Sequence, residues 1–204
     1  MRICLLTMLA LAALAAQAQP RDAAPPAPAG AAAAIAPAAA RKPPPMGPVV
    51  NGFTTIHWDH LVPADWDPFK DFKGMNLGAL DDADPRAAQM LKQMREVWDN
   101  APANKLLAGM PVRIPGFVVP LEDTKDGLKE FLLVPYFGAC VHSPPPPANQ
   151  IIHVVAATPA KGLRSMDAVW ISGRMSLDKT DSYMGMAGYR IEATAVAPYV
   201  ADKR

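Results

Sequence analysis

The chain has 204 residues, enough for one domain with tails, and half of them are hydrophobic. Twenty Lys and Arg balance nineteen Asp and Glu, for a net charge of +1. No basic run stands out, and that excludes a binder that works by neutralising nucleic-acid phosphates.

The first 18 residues read as a cleavable secretory signal. Arg2 is a short positive region, an apolar run follows from Ile3 to about Ala16, and Ala16-Gln17-Ala18 supplies the small-X-small cleavage pattern. The run is too short for a retained membrane span. The mature protein is therefore expected to be exported. Cys4 leaves with the signal, so Cys140 is the one cysteine remaining. Oxidising compartments favour paired cysteines, yet no intramolecular partner exists. Cys140 is then a buried thiol, an intermolecular partner, a nucleophile or a metal ligand.

Residues 19–48 hold nine prolines and twelve alanines with no amphipathic period. This composition predicts a disordered, partly extended linker. A single domain is expected over 49–204.

Aromatics and turn formers mix over 53–72, with Pro63 and Pro68 forbidding a long helix. His57 and His60 sit three apart there. A helical turn would put them on one face, and a strand would separate them; the stretch reads as strand or loop. A helix is predicted over 85–98. Asp84 can cap it, Pro85 suits its first position, and Asn100 with Pro102 ends it. Ala87, Met90, Leu91, Met94, Val97 and Trp98 recur at helical spacing and read as core packing.

Five strand-like runs follow at 112–121, 131–137, 151–157, 168–177 and 188–200. The first carries Pro115 and Pro120, which suggests an edge or a bulge. The second and third are apolar on both faces, as buried strands are. The last two alternate cleanly, with Val169, Ile171, Gly173, Met175 and with Tyr189, Ile191, Ala193 on single faces. The expected fold is mainly β (α+β): a small five-stranded antiparallel barrel like the oligonucleotide/oligosaccharide-binding (OB) fold, with one packed helix.

Between the second and third strands lies FGACVHSPPPPANQ. In an extended chain Cys140 and His142 project to one side, with Cα atoms about 6–7 Å apart. A thiolate and an imidazole so placed form a zinc-type ligand pair that also suits Cu(I). Gly138 lets the backbone bend just before them. Pro144, Pro145, Pro146 and Pro147 lock φ and remove four N–H donors, so the loop is pre-ordered as polyproline II, to hold a site or meet a partner. Asn149 and Gln150 then bond the donor-poor turn and belong to the candidate partner-binding set. His153, Glu122 and Asp123 are candidate completing ligands, with the His57/His60 pair behind them. Zinc ranks ahead of copper, whose case rests on the soft thioethers of Met184-Gly185-Met186.

An enzyme reading would make Cys140 a nucleophile. His142 then points parallel to it, an awkward geometry for a dyad, so a non-enzymatic role is preferred. A non-catalytic module that docks a membrane transporter through its proline loop is the other alternative.

At 116–122 and 131–151 the chain resembles an uncharacterised family of exported bacterial proteins, a domain-of-unknown-function family carrying GFVVPLE and FLLVPYFGAC-[IV]-H-x-PPPPxNQI. The resemblance extends over about 58–200. Members stand beside components of ATP-driven periplasmic zinc-uptake (ABC-type) transporters. The resemblance therefore implies a periplasmic accessory role in metal handling, with zinc foremost and transporter components as partners.

Overall fold

A computed structural model describes residues 43–67, 70, 85–122, 125–139 and 146–200. Nine strands and one α-helix lie within them, together with short 3-10 turns. β1 (Val49–Val50) and β2 (Phe53–Thr55) form a hairpin whose two turn residues, Asn51 and Gly52, both have positive φ. Asn-Gly is the pair that adopts this geometry most readily. β2 then lies parallel to the start of β3 (Pro111–Pro120), with Thr54 opposite Val112.

Strand β3, β4 (Leu128–Val134), β5 (Ile152–Ala160), β9 (Tyr189–Pro198) and β6 (Ala168–Ser176) pair in that order, and β6 returns to β3. The five predicted strands thus close into the expected small OB-like barrel. Its β5–β9 seam is parallel, and the other four seams are antiparallel. An odd number of strands cannot alternate in direction all the way round a ring. One parallel seam is unavoidable, and it falls where the two strands are not consecutive in sequence.

Even positions of β3 and odd positions of β6 and β9 point inward. Val112, Ile114, Val118, Phe131, Leu133, Ile152, Val154, Val169, Ile171, Met175, Tyr189 and Ile191 fill the interior. Ile56, Trp58, Leu61 and Leu107 join this cluster from the segments before the barrel. The prolines of β3 do not make it an edge. β6 bonds one side of β3 from Pro111 to Phe117, and the other side passes from β2 to β4. Pro115 sits in the gap between those two partners. Its carbonyl there accepts the indole N–H of Trp58 at 2.7 Å. The N and O of a strand residue face the same way, so the missing N–H costs no ladder bond.

A second buried cluster covers the outside of β3 and β4: Phe117, Val119, Leu132, Val134, Ala139, Ile151, Ala168 and Ala187. The predicted apolarity of β4 on both faces has this cause. A hairpin absent from the sequence-based expectation, β7 (Thr180–Ser182) with β8 (Gly185–Ala187), contributes Ala187 and Met184 to the cover.

Helix α1 (Pro85–Asp99) starts at the predicted proline, and the Asn100 side chain donates to the Glu96 carbonyl at its end. It lies against β8. Its apolar stripe is not core, however. Leu91 is 54% exposed, and Met90, Met94, Val97 and Trp98 are only half-buried. Among the described residues no helix is long and apolar enough to cross a membrane.

Candidate functional site

The motif leaves the barrel at Val134, the last residue of β4. Gly138 has φ 85°, the left-handed bend that glycine permits without cost. Its N–H donates to the thioether of Met166 at 3.3 Å. Ala139 is fully buried in the outer cluster, and Phe137 packs edge-on against Phe117 with 55% of its surface exposed. Cys140, His142, Pro144 and Pro145 lie outside the described residues, as do Asp84 and Asp123. The chain is described again from Pro146, which is buried. Pro147 has φ −54° and ψ 149°, the polyproline-II geometry predicted for this block, and leads into a 3-10 turn over Ala148–Gln150.

Asn149 and Gln150 are 0% and 3% exposed. The amide of Asn149 donates to the Pro102 carbonyl at 3.0 Å, and that of Gln150 to the Trp58 carbonyl at 3.1 Å and the Asn149 carbonyl at 3.0 Å. Expected as partner-binding groups, they instead turn inward and tie the motif to the two segments that precede the barrel. Their oxygens, Asn149 Oδ1 and Gln150 Oε1, are buried without a hydrogen-bond partner among the described residues.

The same junction gathers Tyr189, whose hydroxyl donates to the Leu61 carbonyl at 2.5 Å and accepts from the Asn104 N–H at 2.5 Å. Burial pushes this phenol up to about 12, while the Asn104 N–H opposes the shift. The Asn104 amide donates to the His60 carbonyl at 2.7 Å. Trp58, His60, Asn104, Asn149, Gln150 and Tyr189, scattered along the chain, thus form one polar junction under the starts of β5 and β9. Asn104 carried no sequence signal. A buried strand tyrosine with an obligatory hydroxyl partner was the clue available.

The tentative completing ligands fare differently. His60 lies on a 3-10 turn (Trp58–Leu61), and His57 is the extended residue just before it, with ring centroids 5.6 Å apart. His60 is nonetheless committed. Its Nδ1 accepts the His57 N–H at 2.9 Å, and its Nε2–H donates to the Pro44 carbonyl at 2.6 Å. His153 is 4% exposed on the outer face of β5, between Leu132 and Arg190 on the flanking strands. Its Nε2 meets the Glu130 carboxylate at 3.2 Å and its Nδ1 the Thr180 hydroxyl at 3.3 Å. One neutral tautomer satisfies both, with Nε2–H donating to Glu130 and Nδ1 accepting from Thr180. His153 is therefore a strut between the barrel and the β7–β8 hairpin.

Glu122 is exposed, two residues beyond β3. The neighbour of β3 is β4, as expected, but the pairing sets Pro120 against Phe131 and Phe117 against Val134. Glu122 continues toward the start of β4, while the motif leaves from its end. Antiparallel pairing separates what adjacency alone would have joined. Met184 packs on the outer cluster, and Met186 is half-buried in β8. Among the described residues no three His, Cys, Asp or Glu side chains group closely enough to hold a metal ion.

A family model described as "Protein of unknown function (DUF3299)" matches residues 58–198. This chain belongs to the DUF3299 family. A crystal structure of a DUF3299 family protein from Pseudomonas aeruginosa PAO1 is 33% identical, covers 73% of this chain and 97% of its own, and superposes with a TM-score of 0.55. A small single-stranded DNA-binding protein from Streptomyces coelicolor shares 16% identity over 47% of this chain and 98% of its own, with a TM-score of 0.29. No curated protein matches the chain. The DUF3299 match begins at Trp58 and ends at Pro198, so it spans the whole polar junction and the whole barrel.

Proposed function

We propose that this DUF3299 protein is an exported periplasmic accessory protein that binds a transition metal through Cys140 and His142 and serves a metal-uptake transporter. The observation that carries the reading is the anchoring of both ends of the segment containing them. On one side Ala139 is fully buried and Gly138 is bonded to Met166. On the other, Asn149 and Gln150 are tied to the carbonyls of Pro102 and Trp58. Fixed ends and serial prolines lower the entropy lost when a thiolate and an imidazole converge on one ion. The donor types suit zinc first and Cu(I) next.

Metal analysis of the purified mature protein after reconstitution with zinc, against Cys140→Ala, tests this. Near-stoichiometric zinc in the wild type and its loss in the variant are expected. Equal and negligible metal in both overturns the reading.

A docking role for the same loop is favoured by one observation, the half-exposed Phe137 ring at its root. That reading expects Phe137→Ser to abolish co-purification with the transporter while leaving metal content unchanged. Retained co-purification removes it.

A further inference from the structure

Leu128 starts β4, and Val134, where the proline motif departs, ends it, about 20 Å away along the strand. The pairing with β5 is irregular at this start. Leu128 lies opposite Ala160, yet Glu130 lies opposite Val155. One residue of β4, Lys129, is therefore set against four of β5, from Ala156 to Pro159. Surplus residues bow a strand out of its ladder. Here they leave the turn before β4 beside the turn after β5. The two turns meet at Gly127. Its φ is 106°, and a Cβ there would stand 2.8 Å from the Ala160 carbonyl oxygen and 3.2 Å from the Lys161 nitrogen. Glycine alone permits that approach.

A cavity of about 220 Å³ lies between the turns, lined by Lys125, Asp126 and Leu128 from the first and by Lys161 and Leu163 from the second. Leu128 is buried in the barrel interior, and Leu163 packs on the same cluster, so the floor is the apolar end of the core. Lys125, Asp126 and Lys161 are exposed at the rim. Among the described residues none of the three is held in an ion pair. Barrel mouths are recurrent ligand sites, and this one is smaller than the roughly 300–1,000 Å³ that drug-sized ligands occupy.

We propose that this cavity binds a small hydroxycarboxylate monoanion. The Lys125 and Lys161 ammonium groups take its carboxylate, the Asp126 carboxylate accepts from its hydroxyl, and Leu128 and Leu163 meet its short carbon skeleton. Two like charges at one mouth favour an anion. The charge of the lining, two ammonium groups against one carboxylate, selects among anions. A single negative charge balances it. A phosphate monoester, with about 1.5–2 negative charges at neutral pH, would set its surplus against Asp126. The site involves no residue of the Cys140 segment, so it stands or falls apart from the metal reading.

The test follows amide NMR shifts of the isotope-labelled mature protein during titration with lactate and gluconate, and separately with acetate and inorganic phosphate. Saturable shifts are expected at 125–128 and 160–163 with the two hydroxycarboxylates. Lys125→Gln and Lys161→Gln should each weaken that binding about fivefold. Asp126→Ala should reduce both hydroxycarboxylates to the affinity of acetate. All three residues are exposed, so the variants keep the fold, which thermal melting verifies. No shift at these residues with millimolar lactate or gluconate overturns the proposal. So does undiminished affinity in both lysine variants. A response to acetate or phosphate as strong as to the hydroxycarboxylates overturns the ligand class assigned.

Discussion

The hydroxyl of Tyr189 donates to the carbonyl of Leu61 at 2.5 Å across 128 residues of chain. One bond thereby joins the first residue of the last strand to the 3-10 turn that precedes the barrel. The same oxygen accepts from Asn104, so removing it orphans a buried acceptor and a donor together.

Tyr189→Phe is therefore expected to cost about 1–3 kcal/mol in urea unfolding at neutral pH. The pH dependence has a definite sign. Burial raises this phenol from 10.0 to about 12, so the folded state favours the protonated form. That contribution is fully present below pH 10, where the unfolded chain is also protonated. It is lost as pH rises from 10 to about 12, on the order of 2–3 kcal/mol in all. The wild type should lose stability over that window, and Tyr189→Phe should lose correspondingly less. Parallel curves for the two proteins would refute the assignment.

Gln150→Glu keeps the shape of the side chain and removes its donors. Two carbonyls, of Trp58 and Asn149, would then face a buried carboxylate. A penalty of about 3 kcal/mol or more is expected at pH 7. Desolvation raises the introduced carboxyl in the fold, so the deficit should shrink as pH falls and the group protonates. Chemical denaturation of both proteins at neutral and mildly acidic pH measures it.

Gly173 lies at the irregularity between β6 and β9. A Cβ there would meet the Glu192 carbonyl and stand 2.8 Å from Ala193 Cα. Backbone atoms cannot swing aside as a side-chain tip can, so Gly173→Ala should cost about 2 kcal/mol or more. Gly52→Ala is a useful contrast, since no atom lies within 4 Å of its added Cβ and only its φ of 84° opposes it. Thermal melts should rank Gly173→Ala well below Gly52→Ala.

His153→Leu removes both the Thr180 and the Glu130 contact. Faster amide exchange is expected in β7 and β8, with β3 and β6 protected as before. Equal protection of the hairpin in both proteins would show that Met184 and Ala187 on the outer cluster hold it unaided.

The barrel was legible where one face of a strand is wet. In β6, Val169, Ile171, Gly173 and Met175 are buried, while Trp170, Ser172, Arg174 and Ser176 are not. Trp170 packs outside beneath the Arg113 guanidinium, 3.6 Å from its ring centroid. The helix stripe misled because 3.6-residue periodicity reports an apolar face, not how deeply it is covered; Leu91 is in the open. Pro115 misled because its lost donor matters only if a strand lies on that side, and Trp58 lies there instead. The candidate site was half legible. Cys140 and His142 stand out as residue types, whereas the inward turn of Asn149 and Gln150 follows from carbonyls some fifty and ninety residues away.

By itself the sequence determined which stretches become the five barrel strands, where the helix starts, and that FGACVHSPPPPANQ is unlike an ordinary connection. Alternation and proline are local signals, and local sterics suffice to read them. Tertiary structure decided the parallel β5–β9 seam, the outer cluster, the separation of Glu122 from the motif, and the aim of Met166 at Gly138. Each of these depends on which strand closes against which, and no residue's near neighbours in sequence carry that information.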